Sequence, residues 1–144
     1  MPGRRQLRRA IPSPLRERLY DWSPSRRRRW REIPGLERIP AEAGAALTFD
    51  DGPDARWTSR LLEVLDRAGA KATFFLVGEQ LPENENLSRE IEARGHEIGL
   101  HGMTHRRHDL LGAKEARAEL TQGLEAIEAA TGTRPGWYRP PYGA

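Results

Sequence analysis

The sequence has 144 residues, no cysteine and a formal net charge of +3. Its length allows one domain with a real core, and the lack of thiols excludes disulfides and thiolate ligands, so any metal must sit on His, Asp or Glu. No apolar run reaches the about 18 residues of a membrane span, and the basic start leads into no apolar stretch of the kind an export signal needs, so a cytoplasmic location is the default expectation.

Taken in chain order, the first element is a basic arm over residues 1–40. Residues 1–31 hold eleven Arg against Glu17 and Asp21, a balance of +9, which leaves −6 on the other 113 residues. Six prolines between Pro2 and Pro40 limit it to short helical pieces around 15–22 and 25–32. Trp22 and Trp30 could dock on the domain that follows, and RRRRWR could touch an anionic surface such as lipid or nucleic acid. A solvated arm is the plainer reading, and no specific nucleic-acid partner is expected.

The domain is expected over residues 41–144. AALTF (45–49) reads as a short strand and is followed at once by Asp50 and Asp51. Neighbours on a regular strand point to opposite faces, so one acid would aim into the core, where an unpaired carboxylate is costly. The strand is therefore expected to end at Phe49, with both acids turned into a polar, cation-holding site. A surface Asp-Gly turn is the competing reading.

TSRLLEVLDRAG puts Leu61, Leu62, Leu65 and Ala68 on one helical stripe and stops at Gly69. KATFFLVG is a buried strand. NLSREIEARG is a helix capped by Asn86 or Ser88 and stopped by Gly95. HEIGLH is a short strand. AKEARAELTQGLEAIEAATG is the longest helix, with Ala116, Leu120, Leu124 and Ile127 on one face and Gly132 as its stop. GWYRPPYGA is a fourth strand running into a Pro-stiffened loop. The alternation predicts an α/β fold with about four parallel strands.

Sites in such folds form at the carboxyl ends of the strands. Asp50, Asp51, His101, His105, Arg139 and Tyr142 all fall at such ends. His101 and His105, four apart, can face one point on a helical turn or in a tight loop. Two imidazoles and one carboxylate make an open site that suits zinc, and a metal so held activates water and polarises a carbonyl. Of two adjacent acids, one can bind the metal while the other takes a proton. Arg139 can orient that base through a charge-assisted bond, or be an ordinary surface Arg. An N–H held in the stiff loop at Tyr142 can donate to a developing oxyanion. His96 and His108 are expected in ordinary structural or exposed roles.

TFDDGP, HGMTH and RPPY, in this order and at these strand ends, resemble the first three motifs of the polysaccharide deacetylases with a NodB homology domain (carbohydrate esterase family 4), over residues 45–144. The resemblance implies the front part of a distorted (β/α) barrel. It implies Asp50 as catalytic base, with Asp51, His101 and His105 as metal ligands. It also implies Arg139 near the base and the Tyr142 N–H at the oxyanion. The implied cofactor is a divalent metal: zinc first, with cobalt, manganese or nickel as alternatives. The implied reaction is hydrolytic removal of N-acetyl or O-acetyl groups from a glycan of the peptidoglycan, chitin-oligomer or xylan type. Such enzymes usually act at the cell envelope or outside the cell.

There are two departures. The family usually has Ser or Thr after the first motif histidine, where this chain has Gly102, and Thr104 is the candidate to replace the lost loop hydrogen bond. The family's Asp-containing fourth motif and its general-acid histidine would both lie beyond Ala144. The expectation is therefore a C-terminally incomplete domain that, taken alone, catalyses poorly. A degenerate, non-catalytic carbohydrate-binding relative is the alternative, and a basic-arm adaptor the third reading.

Overall fold

A computed structural model describes residues 44–143. The basic arm, with Trp22, Trp30 and the RRRRWR run, lies outside the described residues.

The elements alternate as β1 (Thr48–Gly52), α1 (Thr58–Ala68), β2 (Thr73–Leu76), α2 (Glu85–Ala93), β3 (Glu97–Leu100) and α3 (Ala113–Thr131). The strands form one parallel sheet in the order β1-β2-β3, with Phe49 opposite Phe74 and Phe74 opposite Ile98. A central parallel strand is covered on both faces, which is why Phe74, Phe75 and Leu76 are all apolar and buried. Phe74 and Leu76 enter the main core with Leu62, Leu65, Ile91, Leu100 and Ile127. Phe75 is also buried, but on the other face, beneath the Arg139 guanidinium at 4.0 Å from its ring centroid. Each fully buried Leu or Ile contributes about 1.5–3 kcal/mol, so these side chains set the sheet's position relative to the helices.

The expected helix stops hold. Gly69 (φ 61°) and Gly132 (φ 83°) take the left-handed conformation that ends α1 and α3. At the start of α3 the Glu115 carboxylate accepts the Gly112 N–H at 3.1 Å.

Four expectations are corrected. First, β1 does not end at Phe49 but stays in the ladder to Gly52. Second, α2 starts at Glu85, with Asn84 rather than Asn86 or Ser88 at its N-cap, and Ser88 is fully buried inside the helix. Third, the buried face of α3 is Glu119, Gly123, Ile127 and Ala130, with Leu120 and Leu124 only flanking the core and Ala116 off it. Fourth, the sheet has three strands among the described residues, not four. Residues 137–139 add a single parallel bridge, Leu100 to Tyr138. In it the Leu100 N–H donates to Trp137 O (2.8 Å) and the Arg139 N–H to Leu100 O (2.9 Å). Pro135, Pro140 and Pro141 explain the brevity, since they lack N–H donors and stop the ladder on either side.

No helix among the described residues is long and apolar enough to cross a membrane.

Candidate metal centre

Two adjacent acids leave the same strand by means of a bulge. Phe49 pairs with Phe74 and Gly52 with Leu76, so β1 spends one residue more than β2 between those pairings. An extra residue unpairs the ladder locally and re-aims side chains. Asp51 absorbs it with φ 68°, in the left-handed region that Asp tolerates better than most residues. The bulge thus does what the sequence reading gave to a strand end.

Asp50 and Asp51 then meet different partners. Asp51 Oδ1 stands 3.2 Å from His101 Nε2 and 2.9 Å from His105 Nε2. One ligand atom from each of these residues lies within 4.8 Å of the others. The two imidazole rings are 5.1 Å apart and sit in a tight loop rather than a helical turn, with His105 at φ 47°. Asp50 Oδ1 instead accepts from Arg139 Nη1 at 2.5 Å, and the same nitrogen donates to Thr48 Oγ1 at 2.9 Å.

His101 is oriented from behind. Its Nδ1 is 2.8 Å from the Arg139 carbonyl. A carbonyl only accepts, so Nδ1 carries a proton, and in the neutral ring this leaves the Nε2 lone pair facing Asp51. Such a backing bond fixes a ligating imidazole's tautomer and ring plane. A carboxylate and two imidazoles whose ligand atoms meet at one point suit a divalent metal such as zinc. Tyr142 (φ 58°) closes one side, its exposed ring 4.8 Å from that of His105.

The loop carrying the histidines has its backbone groups matched from three sides. The His101 N–H donates to Leu76 O, while Gly102 O and Met103 O accept from the Gly78 and Glu79 N–H groups at 3.0 and 2.8 Å. The Met103 and Thr104 N–H groups donate to Glu119 Oε2 at 3.0 and 2.9 Å, and the Thr104 hydroxyl donates to Oε1. Burial alone would raise the Glu119 carboxyl, but the bonds from Thr104 and Met103 outweigh it and leave the group below its ordinary value. Sequence reading missed this residue. The available signal was a lone carboxylate on the same helical stripe as Gly123, Ile127 and Ala130.

Gly102 has a steric reason. At φ 91° it is left-handed, and a Cβ there would lie 3.1 Å from His108 Nε2 and 3.4 Å from Pro141 Cγ. The His108 ring therefore occupies the space that a Ser or Thr side chain would need. Its Nδ1 lies 2.5 Å from the Tyr138 hydroxyl and its Nε2 3.8 Å from Glu119. Burial lowers the His108 pKa more than Glu119 raises it, and burial followed by the Glu119 charge raises that of Tyr138. A neutral ring accepting the Tyr138 proton satisfies both. His108 is thus packed behind the histidine loop, closer to the site than an ordinary role implied. His96 does have such a role: it is buried at the far end of β3, and its Nδ1 accepts the Ala72 N–H at 3.3 Å.

Comparison with known proteins adds an independent line. The family profile for polysaccharide deacetylases matches residues 38–144. A peptidoglycan-N-acetylglucosamine deacetylase of Bacillus cereus is 38% identical over 102 residues, covering 71% of this chain and 37% of that protein. A chitin deacetylase of Pestalotiopsis sp is 40% identical over 100 residues, 67% of this chain and 33% of that one. Among solved structures, the peptidoglycan deacetylase PdaC of Bacillus subtilis superposes with a TM-score of 0.67 at 35% identity, over 69% of this chain and 49% of its own. The chain thus spans roughly a third to a half of each of these three proteins.

Proposed function

Because the chain belongs to the polysaccharide deacetylase family, we propose that it takes part in hydrolysing N-acetyl groups from an acetylated glycan of the peptidoglycan class, with a divalent metal, zinc first, held by Asp51, His101 and His105. The observation that carries this reading is the convergence of those three ligand atoms beside an Asp50 that is paired to Arg139 instead of to the cluster. The peptidoglycan substrate is supported by the names of the relatives, and chitin oligomers and xylan-type esters are the other substrates to try.

When bound, the metal supplies Lewis-acid polarisation of the acyl oxygen and activation of water. The residues do the rest. Water adds to the acetyl carbon, the carbon–nitrogen bond breaks, and acetate leaves together with an amine whose nitrogen has taken up the proton released by the water. Asp50 accepts the proton of the attacking water, a contribution of about 10²–10⁴-fold for a positioned base. Arg139 keeps that carboxylate aimed. The Tyr142 N–H donates to the oxygen on which charge develops.

The test is acetate release from N-acetylglucosamine oligomers and from peptidoglycan, with added zinc and after chelation. Zinc-dependent release supports the proposal. Release that chelation leaves unchanged would contradict the metal, and glycan binding with zinc but no acetate would point to a non-catalytic binding role.

A further inference from the structure

We propose that Glu119 is a positioning residue for the metal centre: its buried carboxylate holds the 101–105 loop in the shape that brings both imidazoles to Asp51. The inference rests on the metal reading above and concerns a residue outside the ligand set.

Glu119 lies on α3, sixteen and fifteen positions from the Met103 and Thr104 N–H groups it accepts. It is 7% exposed, on a stripe otherwise made of Gly123, Ile127 and Ala130. A buried carboxylate is costly unless fully hydrogen-bonded, and this one takes three donors, all from two residues between the histidines. An ionised carboxylate is acceptor-only, so it matches a turn whose N–H groups point the same way.

Those N–H groups point the same way because the loop is bent. Gly102 and His105 both have positive φ, at 91° and 47°. Such a backbone persists when its surroundings over-determine it. The surroundings here are unusually close. A Cβ at Gly78 would meet Met103 Sδ at 2.4 Å, and one at Gly123 would meet Leu100 Cδ1 at 2.5 Å and Met103 N at 3.3 Å. The loop's carbonyls are held from the Gly78–Gln80 turn and its N–H groups from Glu119. Without Glu119, the α3 side of that clamp loses its polar anchor, and His105 is the ligand nearest the release.

The experiment uses the full chain and zinc, with affinity measured by chelator competition and stability by thermal unfolding of the metal-free protein. Glu119→Ala should weaken zinc binding about 10–100-fold, the usual range for outer-shell partners of metal ligands. Glu119→Gln should restore part of the loss, since one amide oxygen can still take both N–H groups. Leu120→Ala, a destabilising change on the flank of the same helix, should lower the unfolding temperature and leave zinc affinity alone. If Glu119→Ala does not fold, Thr104→Val decides, because it removes one donor and leaves the carboxylate; it should cost several-fold in affinity. Wild-type affinity in whichever of these two variants is measured overturns the inference, as does an equal loss in Leu120→Ala. A wild-type chain that binds no zinc removes the metal reading and this inference with it, whereas tight wild-type binding matched by Glu119→Ala removes this inference alone.

Discussion

The Arg139 guanidinium donates to the Asp50 carboxylate, Nη1 to Oδ1 at 2.5 Å, across 89 positions of sequence. The backbone of the same residue accepts the His101 Nδ1–H. One residue thus serves Asp50 with its side chain and the His101 imidazole with its carbonyl, and substitution separates the two.

Arg139→Ala keeps the carbonyl and removes the guanidinium. Zinc affinity should stay within a few-fold of wild type. A hydrogen bond to a charged group is worth about 1.5–3 kcal/mol, so acetate release should fall on the order of 10–100-fold. Arg139→Lys should not recover it, because an ammonium cannot reproduce a planar group that spans Thr48, Asp50 and the Phe75 ring. Loss of zinc binding in Arg139→Ala would show that the side chain, not the carbonyl, orients His101.

The two acids should divide by function. Asp50→Asn should bind zinc normally and lose about 10²–10⁴-fold in rate. Asp51→Asn should lose both zinc and rate. Zinc titration of the two variants in parallel checks this, and equal zinc loss in both would refute the division.

Gly123→Ala pits helix propensity against packing. Gly to Ala inside a helix is worth up to about 1 kcal/mol. The new methyl would sit 2.5 Å from Leu100 Cδ1 and 3.4 Å from the Gly102 carbonyl carbon. Overpacking typically costs about 1–3 kcal/mol, so packing wins. The unfolding temperature should drop by a few degrees and zinc affinity should fall with it. A more stable variant would mean that the loop yields without strain.

His96 should give the fold an acid-sensitive component. Burial lowers its pKa, and the nearby Lys71 charge lowers it further. The unfolded chain, with an ordinary value near 6.5, therefore binds the proton first. Stability from this residue is complete above about pH 6.5 and is lost as pH falls through the lower folded-state value. His96→Asn, whose Oδ1 can still accept the Ala72 N–H, should lose less stability than wild type between neutral and mildly acidic pH. Urea unfolding at both values checks it, and parallel losses would exclude His96 as the source.

How much of this was legible in the sequence follows from what each residue depends on. Asp51, His101 and His105 could be read because their types and their places after strands already point to one end of a parallel sheet. The means of bringing out both acids could not, because a bulge is a property of the β1–β2 register and not of either strand. Glu119 was hidden by a reading of α3 that weighed only apolar positions, and two of its three donors are backbone groups with no sequence signature. Gly102 read as a lost hydrogen bond, when its space had been taken by a His108 ring six positions on. The fourth strand failed because the prolines around residues 137–139 leave room for one bridge.

The bond between His101 and the Arg139 carbonyl spans 38 positions, and the 19 residues of α3 fill half of that interval. The group that aims His101 therefore comes from a later stretch of chain than Asp51 and both imidazoles, and the three cannot be fully oriented until that stretch has docked. If zinc is held as proposed, tight capture should begin only once residues 137–139 lie beside Leu100, and zinc retention through a brief chelator pulse should then report that docking during refolding.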